Sequence, residues 1–123
     1  MAIPTRLTEL LGIEHPILLA PMGSASGGAL AAAVTAAGGF GFIGSGYADG
    51  AKIRAEMAAA GNARIGVGLV TWALADRPEA LDAALEHAPP AVMLSFGDPT
   101  PYAGRVKAAG SLLFCQVQTL DMA

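Results

Sequence analysis

Five short apolar runs punctuate the chain, at residues 17–20, 41–45, 65–70, 91–95 and 112–117, and their starts lie 24, 24, 26 and 21 residues apart. Each run is too short for a core helix. None shows the strict alternation of a half-buried strand, so they read as parallel strands covered on both faces. Helix-like segments fill the gaps. The first spans about 28–37 and is stopped by Gly38, which takes the left-handed conformation of a helix end without steric cost. A second spans about 51–60 and stops at Gly61. A third has Asp76 as its expected N-cap with Glu79 three residues on, and Pro78 in the first turn, where a missing N–H costs little. A fourth has Thr100 as N-cap, Pro101 at the first helical position and Gly110 as its stop, and a fifth begins at Thr119 and is cut at Ala123. A short helix over 6–11 precedes them all and is placed to plug the bottom of a barrel.

Strand and helix thus alternate, as parallel strands joined by right-handed crossovers require. Two architectures satisfy this order: an open doubly wound sheet of the flavodoxin or receiver type, and part of a (β/α)8 barrel. Five strands in 123 residues suit the first. The last helix, reaching only its first turn, suits the second. Strand order separates them, since 2-1-3-4-5 marks the open sheet and 1-2-3-4-5 with barrel curvature excludes it.

Composition supplies the core: 54% of residues are apolar and 14% charged, far from the disordered regime. A net charge of −3 with scattered Lys and Arg argues against a nucleic-acid partner. Cys115 is the only cysteine, so neither a disulfide framework nor a cysteine zinc site is expected, and a reducing cytoplasmic setting is the default. The N-terminus does not read as a secretory signal. The nearly uncharged stretch 29–47 is mostly Ala and Gly and is broken by Gly38-Gly39, so it reads as a buried helix and strand rather than a membrane span.

In either architecture ligands bind where the strands end. The turn after the first run, Ala20-Pro21-Met22-Gly23-Ser24-Ala25-Ser26-Gly27-Gly28, is small enough for its backbone to approach a flat or anionic ligand, or is merely a permissive turn. It is neither a P-loop nor a dinucleotide fingerprint. Tyr47 after the second run can stack on a ligand, and Asp49 reads as the N-cap of the next helix. Trp72 after the third walls a substrate pocket or covers the core edge, and Asp98 before Pro99 reads as turn chemistry. In the fifth run Gln116 and Gln118 share a face, and at least one is expected to meet a polar ligand or the barrel interior. His15 sits at the start of the first strand and His87 at the end of the third helix, both in structural positions. No metal-ligand spacing and no nucleophile–base set emerges, so no catalytic residue and no metal ligand is assigned.

Several segments resemble one family in order along nearly the whole chain. Glu14-His15-Pro16-Ile17-Leu18-Leu19-Ala20-Pro21-Met22-Gly23, Leu30-Ala31-Ala32-Ala33-Val34 and Ala36-Ala37-Gly38-Gly39-Phe40-Gly41 resemble the opening of the nitronate monooxygenases, formerly 2-nitropropane dioxygenases. Ile65-Gly66-Val67-Gly68-Leu69, Ser95-Phe96-Gly97-Asp98-Pro99, Lys107-Ala108-Ala109-Gly110 and Cys115-Gln116-Val117-Gln118-Thr119 extend the match. FMN-type enoyl-[acyl-carrier-protein] reductases of bacteria share much of the opening.

The resemblance implies an FMN-binding (β/α)8 barrel in which Ala20, Pro21, Met22 and Gly23 line the flavin ring, partly through main-chain groups. It places Gly68 at a strand-three position that is Asn in many members and contacts the flavin, and Gln116 at a strand-five position near the cofactor that often carries Lys. The implied activity is oxidation of a nitronate or nitroalkane by dioxygen, with enoyl-thioester reduction and a self-contained flavodoxin-like module as alternatives. The family's catalytic His follows the sixth strand, and its phosphate-gripping loops follow the seventh and eighth. Residues 1–123 are therefore expected to be the N-terminal portion of a single FMN-binding barrel domain, inactive alone and weak in FMN binding. An exposed barrel interior predicts aggregation or pairing into a homo-oligomer.

Overall fold

The first helix, α1 (Arg6–Leu11), is built as its sequence suggests: Thr5 caps it and Thr8 returns the bond, while Gly12 closes it in the left-handed conformation. The computed structural model describes residues 2–123. After α1 come β1 (Leu18–Leu19), α2 (Gly28–Ala36), β2 (Phe40–Gly44), α3 (Gly50–Ala59) and β3 (Gly66–Val70). A 3-10 turn (Thr71–Ala75), α4 (Glu79–Leu85), β4 (Ala91–Ser95), α5 (Thr100–Ala108), β5 (Leu112–Cys115) and a final 3-10 turn (Leu120–Met122) complete the order.

The five strands are all parallel and lie in the order β1-β2-β3-β4-β5. Sequential order excludes the 2-1-3-4-5 open sheet, and the strands form a curled half-barrel with helices outside. No helix among the described residues is long and apolar enough to cross a membrane, and the stretch 29–47 is indeed a helix followed by a strand.

Alternation along each strand divides the core in two. Ile43, Val67, Leu69, Val92 and Leu94 face outward and pack with Ile53, Leu74, Leu81 and Val106 from the helical layer. Phe40, Phe42 and Ala91 face inward, together with the partly buried Leu18, Met93, Leu112 and Phe114. Leu11 and Leu7 of α1 join this inner cluster, so α1 does plug the half-barrel. The Phe42 ring stands edge-on to Phe40 and Phe114 at 5.1 and 5.6 Å between centroids, the preferred aromatic geometry. Gly66 makes room for it, since a Cβ there would lie 2.4 Å from the ring.

Helix ends follow the glycines, with Gly38, Gly61 and Gly110 at φ of 92°, 62° and 81°. Asp49 caps α3 through Ala51 and Lys52, as expected. Two caps differ from the sequence reading. Asp76 does not cap α4: the 3-10 turn runs into it, its backbone is helical at φ −90°, ψ −24°, and Pro78 is the capping position with no side-chain bond. An N-cap side chain reaches back only from an extended backbone. Thr100 is already inside α5, whose cap position is Pro99, and it is Asp98 that accepts the Thr100 N–H at 2.9 Å. Turn chemistry at Asp98 thus stands, and hydrogen bonding from the Thr100 side chain and backbone holds the Asp98 carboxyl below its usual range. Across the helical layer Arg54 grips Glu86 through two bonds, which lowers the Glu86 carboxyl and raises the Arg54 guanidinium.

Candidate functional site

Beyond Leu19 the chain turns over the tops of the neighbouring strands and ties itself down. The Met22 N–H donates to the Ser26 hydroxyl at 2.6 Å, and that hydroxyl donates back to the Met22 carbonyl at 3.1 Å. Ala25 and Ser26 amides donate to the same carbonyl. The Ser26 carbonyl accepts the Gly44 N–H at 3.0 Å, which stitches the loop to β2. Ser26 is 2% exposed, so this bonding is shielded from water.

Two glycines let the loop lie this low. A Cβ on Gly44 would stand 2.5 Å from the Met22 carbonyl carbon, and one on Gly68 would stand 2.1 Å from Pro21 Cβ. In register Gly44 pairs with Gly68, Gly68 with Met93, and Met93 with Phe114. These four form one layer of the inner face, small on the β2–β3 side and large on the β4–β5 side.

Above this layer lies a cavity of about 300 Å³, lined by Ala20, Pro21, Gly23, residues 44–46 and 68–70, Met93, Ser95, Phe96 and residues 114–116. It sits at the C-terminal ends of the strands, where barrels place their chemistry. Of the residues singled out from the sequence, Ala20, Pro21, Gly23, Gly68 and Gln116 are all on its wall. Met22 is not, because its main chain is turned into the loop's own bonds and its side chain is 43% exposed. Gln116 lies just past the end of β5, and its N–H still pairs with the Leu94 carbonyl at 3.0 Å. Neither Gln116 nor Gln118 is buried, so the cost of burying an unpaired amide does not arise.

Tyr47 and Trp72 pack on each other, 5.7 Å between ring centroids, with Tyr47 71% and Trp72 54% exposed. They stand beside the cavity rather than on its wall. His15 is at the opposite end of the strands, next to Glu14, and His87 lies past α4 on the surface.

The structure adds Phe96, Met93 and Phe114 to the site. Phe96 has φ of 60°, a region that disfavours bulky residues, and is 53% exposed at the cavity rim. Gly97 beside it has φ of 157° and fits tightly against Thr71, 3.1 Å from where a Cβ would be. Strained backbone of this kind clusters at functional sites. Thr71 is buried there, with a hydroxyl that has no partner among the described residues.

Among the described residues no Asp, Glu, His, Lys or Arg lines the cavity. The wall is largely apolar and glycine-rich, with Ser45, Ser95, Cys115 and Gln116 as its polar members and no cationic side chain, which suits an uncharged flat ring better than a phosphate. The residues present thus fit the ring of a flavin; a phosphate grip is not among them.

A family model for nitronate monooxygenase matches residues 4–117. A curated relative from Mycobacterium tuberculosis (strain ATCC 25618 / H37Rv), (3aS,4S,5R,7aS)-5-hydroxy-7a-methyl-1-oxo-octahydro-1H-indene-4-carboxyl-CoA dehydrogenase, is 33% identical, and the match covers 90% of this chain and 38% of the relative. FabK from Thermotoga maritima superposes with a TM-score of 0.87 at 32% identity, over 98% of this chain and 39% of FabK. A single-substitution variant of the same FabK gives the same score and identity over 41% of its length. The chain therefore spans about two fifths of the length of the relatives it matches. With five parallel strands in sequential order, a ring-sized cavity at their C-terminal ends and a family match along almost its whole length, the chain belongs to the nitronate monooxygenase family of FMN-dependent (β/α)8 barrels.

Proposed function

We propose that the chain forms the ring-binding face of an FMN-dependent oxidoreductase that oxidises alkyl nitronates with dioxygen. The observation that carries the flavin part is the cavity over Gly44 and Gly68, closed on one side by the tied-down loop 20–26. In this reading Ala20, Pro21 and Gly23 offer the ring a close main-chain approach, Met22 holds the loop in shape through its bonds to Ser26, Gly68 keeps the third strand out of the ring's way, and Gln116 donates to or accepts from its polar edge. Bound FMN supplies the acceptance and return of electrons. The residues of this chain orient the ring and keep water from one side of it; the wall carries no carboxylate and no imidazole among the described residues.

The nitronate substrate is supported by the family match. A second reading, oxidoreduction of an acyl thioester, is favoured by the relative whose name specifies a CoA ester. The two separate in one assay of the FMN-loaded holoprotein. Oxygen uptake that depends on an alkyl nitronate, without NAD(P)H, is the expected result. NAD(P)H oxidation that depends on an enoyl thioester, with no turnover of nitronate, overturns the nitronate reading in favour of the second.

A further inference from the structure

The geometry points to Lys52 as a positioning residue for the flavin-facing loop, through a cation placed on the carbonyl of Gly23. Lys52 stands in the first turn of α3, and its ammonium donates to the Gly23 carbonyl oxygen across a sequence separation of 29 residues. Gly23 lines the cavity. The side chain is thus fixed to a peptide that itself forms the wall, from an element that does not reach the wall at all.

Several features make this more than a surface lysine lying on the backbone. Lys52 is half-buried, whereas Lys107 is exposed. The ion pairs among the described residues are His15–Glu14, Arg54–Glu86 and Arg105–Asp82, so Lys52 has no carboxylate partner. The nearest acid in sequence, Asp49, already accepts the amides of Ala51 and Lys52 as the cap of α3. That cap also fixes the first turn from which the Lys52 side chain extends. Gly23 in turn lies close against the turn that follows β2, where a Cβ on it would be 3.1 Å from Gly46 Cα. Ser26 secures the middle of the loop and Lys52 secures its outer corner.

A charged donor on a neutral carbonyl is among the stronger hydrogen bonds a loop can have. It restrains the Gly23–Ser24 peptide, and it brings the only lysine charge of this region against the peptide that forms the wall. A positive charge there favours the electron-rich form of a ring bound in the cavity. The inference rests on the reading of this cavity as the flavin site, and it is testable in part without the flavin.

The test compares the wild-type chain with K52M and K52R. In the ligand-free protein, amide hydrogen exchange over residues 22–26 is expected to accelerate about tenfold in K52M and to stay near wild type in K52R. With FMN added, K52M is expected to bind about tenfold more weakly by flavin fluorescence. Its bound flavin should also have a lower midpoint potential, which K52R restores. Unchanged exchange, affinity and potential in K52M overturns the proposal. Equal impairment of K52M and K52R also overturns it, since the charge would then be irrelevant. Should K52M fail to fold, K52A, which also removes both donor and charge, replaces it under the same criteria. If the wild type binds no FMN while exchange over residues 22–26 is still faster in K52M, the loop anchor stands and the reading of the cavity as the flavin site is overturned.

Discussion

Gly68 shows how much a single missing carbon can decide. The strand pattern there reads only as apolar and small, and the resemblance places an Asn at this position in many family members. In this chain the space belongs to the Pro21 ring, since an added Cβ would lie 2.1 Å from Pro21 Cβ and 2.4 Å from Cγ. Neither neighbour is a flexible tip that can swing aside: Pro21 is held by its ring and by the tied loop that follows. Gly68→Ala is therefore expected to destabilise the chain by about 1–3 kcal/mol through overpacking and to lift the loop off β3. Chemical denaturation measures the first effect and FMN titration the second. Stability equal to wild type would show that Pro21 moves freely and that the loop is not seated on this strand. Met93 and Phe114 could not be picked out from the sequence for a related reason. An apolar residue in a doubly covered strand reads the same whichever way it points, and only the register that sets Gly68 beside Met93 and Met93 beside Phe114 turns them to the inside. Phe96, just past β4, reaches the rim through a left-handed backbone that its sequence does not announce.

At the scale of elements, the punctuation of the chain was legible because glycines have one strong reason to stand where they do. Gly38, Gly61 and Gly110 end their helices with positive φ, so the helix boundaries come out within a residue or two. The caps were less legible. Asp76 and Thr100 have the right chemistry in the right neighbourhood, but whether a side chain reaches back depends on a backbone conformation that the sequence does not state. Strand ends depended on their partners. The run 112–117 stops being a strand at Cys115, and its neighbour β4 ends at Ser95, where Phe96 turns into the left-handed region. The loop after β1 read as small and either able to approach a ligand or merely permissive, with no sign of internal bonding, yet it is among the more tightly bonded segments. Its Ser26 hydroxyl both accepts from and donates to Met22 while nearly fully buried. Ser26→Ala leaves the Met22 N–H without that partner and is expected to cost about 1–3 kcal/mol. The loss should appear as a lowered denaturation midpoint with an unchanged slope, because the fold is retained. A midpoint within error of wild type would mean that water replaces the hydroxyl and that the loop is looser than its bonding indicates.

On the scale of the whole molecule, the two core clusters are unequal. The outer one, between sheet and helices, is closed: Val67, Leu69, Val92 and Leu94 are all within 2% of full burial. The inner one is closed only toward its base, where Leu11, Phe40, Phe42 and Ala91 are buried. Toward β5 it opens, with Leu112 and Phe114 partly exposed and Cys115 exposed. Both terminal strands, β1 and β5, have one neighbour each, so each presents an unpaired row of backbone donors and acceptors beside apolar side chains. That combination templates strand pairing between copies. The 123-residue chain is accordingly expected to self-associate as its concentration rises, seen as a growing mean mass in sedimentation or light scattering, and to bind an apolar dye in its associated or free form. Adding strands that cover β1 and β5 should abolish both. The net charge of −3 is too small to keep copies apart by itself, so high salt should change the association little. A chain that stays monomeric at every concentration and binds no dye would show that β1 and β5 are protected by some feature of the half-barrel other than strand pairing.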